Sequence, residues 1–251
     1  MSSYREDLAY INDAGFSNFT AGATPGVLAL LRRHGVPRGL VVDLGCGSGR
    51  FSSALTSAGY SVLGVDQSPA MIRMAKKNAP QARFLTGSLY GVEIPPCDAV
   101  TAIGEIVNYQ FAPKQSRASL TRLFRRVHKA LRPGGLFVFD VAEPGRVPPF
   151  APEQYWEEGP DWALRVEVDG NAYSRWLTRK IVCFRRNSAG LYRRSDELHR
   201  LRLFHAEDVQ AELASLGFQT RVQSGYGRFR LYPGLRAIVA QKTPAPAGLS
   251  R

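Results

Sequence analysis

Between residues 39 and 142, short apolar runs alternate with stretches in which apolar residues recur every three or four positions. "GLVVDLG" predicts a buried strand, and Phe51, Leu55 and Ala58 predict the inner face of the helix after it. "YSVLGVD" predicts a second strand. In "QSPAMIRMAKKNAP", Ser68 caps a helix, Pro69 starts it, and Met71, Ile72, Met74 and Ala75 face inward. "ARFLTGSL" and "CDAVTAIGE" read as the third and fourth strands. Leu120, Leu123, Phe124, Val127 and Leu131 then form a helical stripe over 115–132, and Gly134-Gly135 turns the chain into "LFVFDVAE", the fifth strand. This alternation specifies an α/β fold with a parallel sheet and helices on both faces.

The flanking patterns differ. Tyr4, Leu8, Tyr10, Ile11, Phe16 and Phe19 predict a short helical cap. In "ATPGVLALLRRHG", Thr24 suits an N-cap and Pro25 the first helical position, with Gly35 ending the helix. Downstream, Trp162, Leu164, Val166 and Val168 alternate with polar neighbours, the period of a half-buried antiparallel strand. With "NAYSRWLTRKIVCFRR" and "LYRRSDELHRLRLF", residues 150–204 read as an extended loop followed by a three-stranded antiparallel insertion. A helix in "AEDVQAELASLG" and strands in "FQTRVQ" and "LRAIVAQK" close the sheet. The expected division is an N-terminal helical cap over 1–36, a core over 37–148 and 205–242, an insertion over 149–204, and a disordered tail over 243–251.

Composition narrows the function classes. The 251-residue chain is 44% apolar and 22% charged, ordinary globular usage. No apolar run approaches the roughly 18 residues that would span a bilayer. The first residues lack the apolar core of a signal peptide, so a cytoplasmic location is expected, without membrane attachment. Cys46, Cys97 and Cys183 have no metal-ligand spacing and form no disulfide framework, so reduced thiols and no metal are expected. Net charge is +12, and nearly all of it lies after residue 112, where the balance is +11. That asymmetry suits an anionic partner, either a carboxylate or phosphate substrate or a nucleic acid, and equally suits solvated basic faces.

The stretch "VVDLGCGSGRF" carries the chemistry. A glycine turn after a first strand lets backbone amides approach a ligand without Cβ interference. A dinucleotide site needs G-x-G-x-x-G/A, with a small last residue for close helix–strand packing. Gly45 and Gly47 fit, but the last position is Arg50, which argues against a dehydrogenase. The spacing is D-x-G-x-G-x-G, with Asp43, Gly45, Gly47 and Gly49. With Asp66 ending the second strand, "TGSLY" after the third, "AIGEIVNY" after the fourth and "LRPGGLFVFD" leading into the fifth, it resembles the class I S-adenosylmethionine (SAM) dependent methyltransferases. These motifs span roughly residues 38–142 in the family's order.

The resemblance implies a seven-stranded, mostly parallel Rossmann-like methyltransferase sheet, SAM as cofactor and S-adenosylhomocysteine as product. It implies that Gly45, Cys46, Gly47 and Gly49 wrap the methionine and ribose, and that Asp43 organises the ammonium group. Asp66 would accept the ribose hydroxyls, with Gln67 and Met71 beside the adenine. Gly87, Ser88 and Leu89 stand where the family commonly carries an adenine-contacting Asp. Ile103 and Gly104 would pass the methionine end, with Glu105 facing the reaction centre. Tyr10 is a candidate to close over the cofactor, or a packing aromatic.

The acceptor is read from the insertion. Amino-group methyltransferases of nucleobases often carry N/D-P-P-Y after the fourth strand, where this chain has "AIGE". The insertion holds Trp156, Trp162, Tyr173, Trp176 and Tyr192 with Arg165, Arg175 and Arg179. A period of two puts Glu197, His199, Leu201 and Leu203 on one face, a half-apolar pocket wall. Methyl transfer is an in-line displacement in which positioning and exclusion of water dominate, and a protonated nucleophile needs a base. His199 and Glu105 are the candidates. His199 as an interior strand histidine, and Glu105 as a holder of ammonium or water, are the alternatives. The leading expectation is an enzyme methylating O or N of a partly apolar or anionic small molecule. An RNA or protein methyltransferase using the basic half, and a non-catalytic SAM-binding protein, remain the other readings. Oligomeric state is not legible.

Overall fold

The computed structural model describes residues 4–110, 117–146, 153–170, 173 and 175–243. Helices α1 (Glu6–Gly15) and α2 (Asn18–Arg33) lead into β1 (Gly39–Leu44), α3 (Arg50–Ser57), β2 (Tyr60–Asp66), α4 (Pro69–Asn78), β3 (Arg83–Thr86) and β4 (Cys97–Ala102). A 3-10 turn (Ile106–Asn108), α5 (Arg117–Ala130) and β5 (Leu131–Ala142) follow. Then come β6 (Glu153–Gly159), β7 (Trp162–Asp169), β8 (Trp176–Arg186), β9 (Tyr192–Arg202), α6 (Ala206–Ser215), β10 (Phe218–Gln223), the short pair β11 (Gly225–Tyr226) and β12 (Phe229–Arg230), and β13 (Leu235–Lys242).

The main sheet has seven strands in the order β10-β13-β5-β4-β1-β2-β3. β1 to β5 pair in parallel, and β13 runs antiparallel to both β5 and β10. Alternate residues of each strand feed two apolar layers. On one face Leu44, Val100, Phe137 and Phe139 pack under Leu123 and Phe124 of α5 and Val209 and Leu213 of α6. On the other, Val41, Ala99, Leu136 and Val138 pack under Leu30 and Leu31 of α2 and Phe51 and Leu55 of α3. Burial on both faces is why these strands read as continuous apolar runs.

Two sequence expectations are corrected. α2 runs through Pro25 rather than starting there, and Thr24 donates its hydroxyl to the Thr20 carbonyl instead of capping. Pro25 removes one donor, yet the helix persists because Ala23, Val27, Leu30 and Leu31 are buried. Gly26 also lets β11 come close: a Cβ there would lie 2.1 Å from the Tyr226 carbonyl oxygen. The insertion sheet has four strands, β6-β7-β8-β9, where three were expected. β6 lay within the expected loop because "EQYWEEG" is an edge strand with exposed side chains, such as Trp156, and shows no apolar alternation.

The insertion sheet buries its inner face, Trp162, Leu164, Val166, Val168, Leu177, Ile181 and Leu201, against Leu8 and Ile11 of α1 and Tyr109 after β4. Backbone bonds from Gln110 to Arg200 and from Phe204 to Ala142 tie β9 to the main sheet. No described helix is long and apolar enough to cross a membrane. The tail expected over 243–251 lies, beyond Thr243, outside the described residues.

Candidate active site

Strand order reverses between β1 and β4, the place where open α/β sheets present a crevice at the carboxyl ends of their strands. There a cavity of about 580 Å³ opens, bounded by the loop after β1, the ends of β2 and β4, the α1–α2 region and the inner face of the insertion sheet.

Gly45, Gly47 and Gly49 have φ of 69°, 53° and 80°, so the loop turns through left-handed backbone that side chains disfavour. The space where a Gly47 Cβ would sit is open, so nothing fills the cavity over the loop there. A Cβ on Gly49 would lie 2.8 Å from the Ala75 Cα, which fixes the close approach of α3 to α4. Asp66 ends β2 with its carboxylate against the loop, accepting from the Gly47 amide at 3.1 Å and the Ser68 amide at 2.8 Å. Burial raises its pKa, opposed by the amides of Ser68, Gly47 and Gln67. Asp43 is buried and accepts from the hydroxyls of Ser52 and Thr101 at 2.8 and 3.0 Å; burial pushes it up to about 6 despite both bonds. Arg50, the residue that argues against a dinucleotide loop, reaches Asp13 of α1 through a bidentate pair at 2.6 and 2.7 Å.

The opposite wall is cationic and aromatic. Arg146 donates to Glu105 Oε1 at 3.0 Å and Arg179, from β8, to Oε2 at 2.8 Å. Burial works against the Glu105 charge, but the two guanidinium groups outweigh it and hold its carboxyl below the ordinary range. Asp140 at the end of β5 accepts from the amides of Gly104 and Glu105 and the Tyr226 hydroxyl; burial nevertheless pushes it up to about 6. His199 is buried on β9, its Nε2 2.9 Å from Glu197 Oε2. Among described non-glycine residues, only Tyr4 and Glu105 have positive φ, 56° and 61°, and both line this cavity.

The family model for a methyltransferase domain matches residues 41–135. A putative methyltransferase of Bacillus subtilis (strain 168) is 24% identical over 188 residues, covering 72% of this chain and 74% of the relative. An S-adenosylmethionine-dependent methyltransferase from Clostridium acetobutylicum superposes with a TM-score of 0.79 at 18% identity, covering 94% of this chain and 98% of that one. This chain carries a methyltransferase domain over residues 41–135, set in the fold seen in an S-adenosylmethionine-dependent methyltransferase. A SAM-bound amino pentose methyltransferase from Micromonospora echinaspora, involved in calicheamicin biosynthesis, has the same fold, with a TM-score of 0.72 at 21% identity over 94% of this methyltransferase and 95% of its own chain.

Of the residues singled out from sequence, this methyltransferase brings Asp43, Gly45, Cys46, Gly47, Asp66, Met71, Ile103, Gly104, Glu105 and His199 to the one cavity. Gln67, Gly87 and Leu89 border an adjoining slot of about 40 Å³, which Gly45 and Asp66 also line. Three residues lie elsewhere. Gly49 sits behind the loop as the N-cap of α3. The Ser88 hydroxyl accepts from the Tyr90 amide, so it stabilises its own turn. Tyr10 donates to Asp161 at 2.9 Å and carries the Arg185 guanidinium over its ring, away from the cavity wall. The cap aromatics that line the cavity are Tyr4, whose carbonyl Ser68 holds at 2.6 Å, with Phe16 and Phe19. Glu105 is also repositioned in role: with both oxygens bound to arginines it anchors cations and has little capacity to take a proton. Sequence reasoning missed Tyr4, Tyr109 and Arg146 as site residues; Tyr109 ends the "AIGEIVNY" stretch, whereas no local motif marks Tyr4 or Arg146.

Proposed function

We propose that this methyltransferase moves a methyl group from SAM to an O or N atom of a small, partly apolar or anionic molecule in the cytoplasm. The observation that carries this reading is one cavity joining the glycine loop to a wall of Leu164, Val166, Ile181, Arg179 and His199. The open space over Gly47 and the Asp66 carboxylate at the β2 end suit a ribose and the chain attached to it. In this reading Gly45, Cys46 and Gly47 supply backbone, Asp66 the ribose contacts, and Gln67, Met71, Gly87 and Leu89 the adenine surroundings. Asp43, Ile103 and Gly104 bound the methionine end. SAM, when bound, supplies an electrophilic sulfonium methyl.

The chain's own task is then to hold the acceptor in line, exclude water and receive a proton. Two half-buried guanidinium groups face one carboxylate, Glu105, which leaves a positive excess for an acceptor carboxylate or phosphate. Leu164, Val166 and Ile181 cover its apolar part, and His199 is placed to take its proton. Several basic side chains, among them Arg117, Arg185 and Arg236, are paired with Glu212, Asp7 and Glu143, and the net basic excess that remains does not by itself favour a nucleic-acid surface. Three buried, unpaired cysteines agree with a reducing compartment.

The test is transfer of isotopically labelled methyl from SAM into pools of small carboxylates and phosphates, amines and phenols, with RNA and protein pools alongside. Label in a small molecule, with S-adenosylhomocysteine formed, is expected. Label confined to RNA or protein, or SAM binding with turnover in no pool, would overturn the reading.

A further inference from the structure

His199 is 2% exposed, lines the cavity and has two ring nitrogens in unlike surroundings. Nε2 lies 2.9 Å from Glu197 Oε2, whereas Nδ1 is buried with no hydrogen-bond partner among the described residues. Glu197 precedes it by two positions on the same face of β9 and is itself buried. Its carboxylate is not free to turn. Oε2 also accepts the Tyr4 amide at 2.7 Å, and Oε1 accepts the Arg5 amide at 2.7 Å. Both carboxylate oxygens already accept a backbone amide, so Glu197 faces the ring as an acceptor and the Nε2 of a neutral imidazole donates to it.

We propose that Glu197 is a positioning residue: it fixes His199 with the proton on Nε2 and the Nδ1 lone pair toward the acceptor, and the N-terminal segment holds Glu197 in place. The inference rests on the methyl-transfer reading above. As the acceptor heteroatom's lone pair forms its bond to the methyl carbon, the carbon–sulfur bond breaks and its electron pair stays on sulfur. The heteroatom's proton passes to His199 Nδ1, and the resulting imidazolium lies against the Glu197 carboxylate. The proton returns to water after the product leaves.

The surroundings are compatible with this assignment. Tyr4 packs its ring 4.9 Å from the imidazole and shares a 2.9 Å hydroxyl contact with Tyr109, whose ring is 5.6 Å from His199. Arg179 stands directly across from His199 on β8, but its charge is matched by Glu105 at 2.8 Å. Arg5 approaches Glu197 at 3.7 Å, and Cys183 of β8 adds a neutral thiol nearby, since burial raises its pKa and Glu197 raises it further. The segment holding Glu197 is anchored at its other side by Ser68, two residues past Asp66. The base is thus secured by an N-terminal segment nearly two hundred residues away in sequence, which is itself held by Ser68.

The experiment uses full-length protein with ¹⁵N-labelled histidine, the His199 signals being assigned by their loss in His199→Gln. Imidazole nitrogen shifts at neutral pH are expected to show a protonated Nε2 and a bare Nδ1; a protonated Nδ1 would overturn the proposal. Glu197→Gln is expected to keep S-adenosylhomocysteine affinity within about twofold and to lower kcat at least about tenfold, as loss of a charged orienting partner does elsewhere. Its kcat–pH profile should have the acid limb at lower pH, because the imidazolium has lost its anion. An unmoved acid limb would reduce Glu197 to a packing role and sink the idea. Absence of methyl transfer by the unaltered protein would instead defeat the proposed function, and the tautomer measurement would still stand alone.

Discussion

On the glycine-loop side of the cavity, the facing residues lie close together in sequence or at the ends of neighbouring parallel strands, from Asp43 to Gly47 and at Asp66. On the opposite side, Tyr4, Glu105 with Tyr109, Arg146, Arg179 and His199 arrive from five segments between residues 4 and 199. The first wall is made largely of backbone in a conformation that glycine alone tolerates well. The second is made of long side chains paired through their charges, as in the Arg146–Glu105–Arg179 arrangement, which keeps one positive charge in excess. A backbone wall is set by the local sequence, whereas a side-chain wall is set by contacts between distant segments. That division explains why the donor is legible in the sequence and the acceptor is not.

The comparison can be broken at either wall. Asp66→Ala should give the largest effect. Losing charge-assisted bonds of about 1.5–3 kcal/mol each to two ribose hydroxyls weakens S-adenosylhomocysteine binding about 100-fold or more by calorimetry. Affinity equal to wild type would remove Asp66 from the cofactor side.

Arg179→Met should instead act on stability and on the acceptor. Breaking a buried ion pair costs roughly 3–5 kcal/mol, and the remaining Arg146–Glu105 contact keeps the loss near the lower end. Thermal unfolding should therefore fall by about 6–12 °C, with S-adenosylhomocysteine affinity unchanged. Equal loss of both would show the two walls to be one unit.

A third test uses pH. Asp43 sits at about 6 in the fold because burial opposes its charge, against 3.8 as the ordinary value. Between these values the folded state holds a proton that the unfolded chain releases. This group's stabilising contribution is therefore present at low pH and lost as pH rises through about 6. Urea unfolding of wild type and Asp43→Asn across pH 4 to 7 should show wild type losing roughly 2–3 kcal/mol relative to the variant. A constant difference would mean that Asp43 stays ionised throughout. The smallest effect belongs to Tyr10→Phe, which removes a hydrogen bond to Asp161 worth about 1 kcal/mol and leaves cofactor affinity within error. Weakened S-adenosylhomocysteine binding there would return Tyr10 to the cavity.

Periodicity and motif order determined the seven-stranded sheet, the glycine turn and the acid at the end of β2, because each rests on residues near one another in sequence. A strand buried on both faces must be apolar throughout, and a left-handed turn must favour glycine, so these leave local marks. β6 left no such mark, since an edge strand with exposed side chains need not alternate. Tertiary structure alone decided that Tyr4 rather than Tyr10 reaches the cavity, and that Glu105 is held by Arg146 and Arg179. It also decided that Glu197 accepts from residues 4 and 5 while orienting His199. Those are contacts between charges and amides far apart in the chain. Their partners are chosen by how the insertion sheet docks on the cap, and no local pattern encodes that docking.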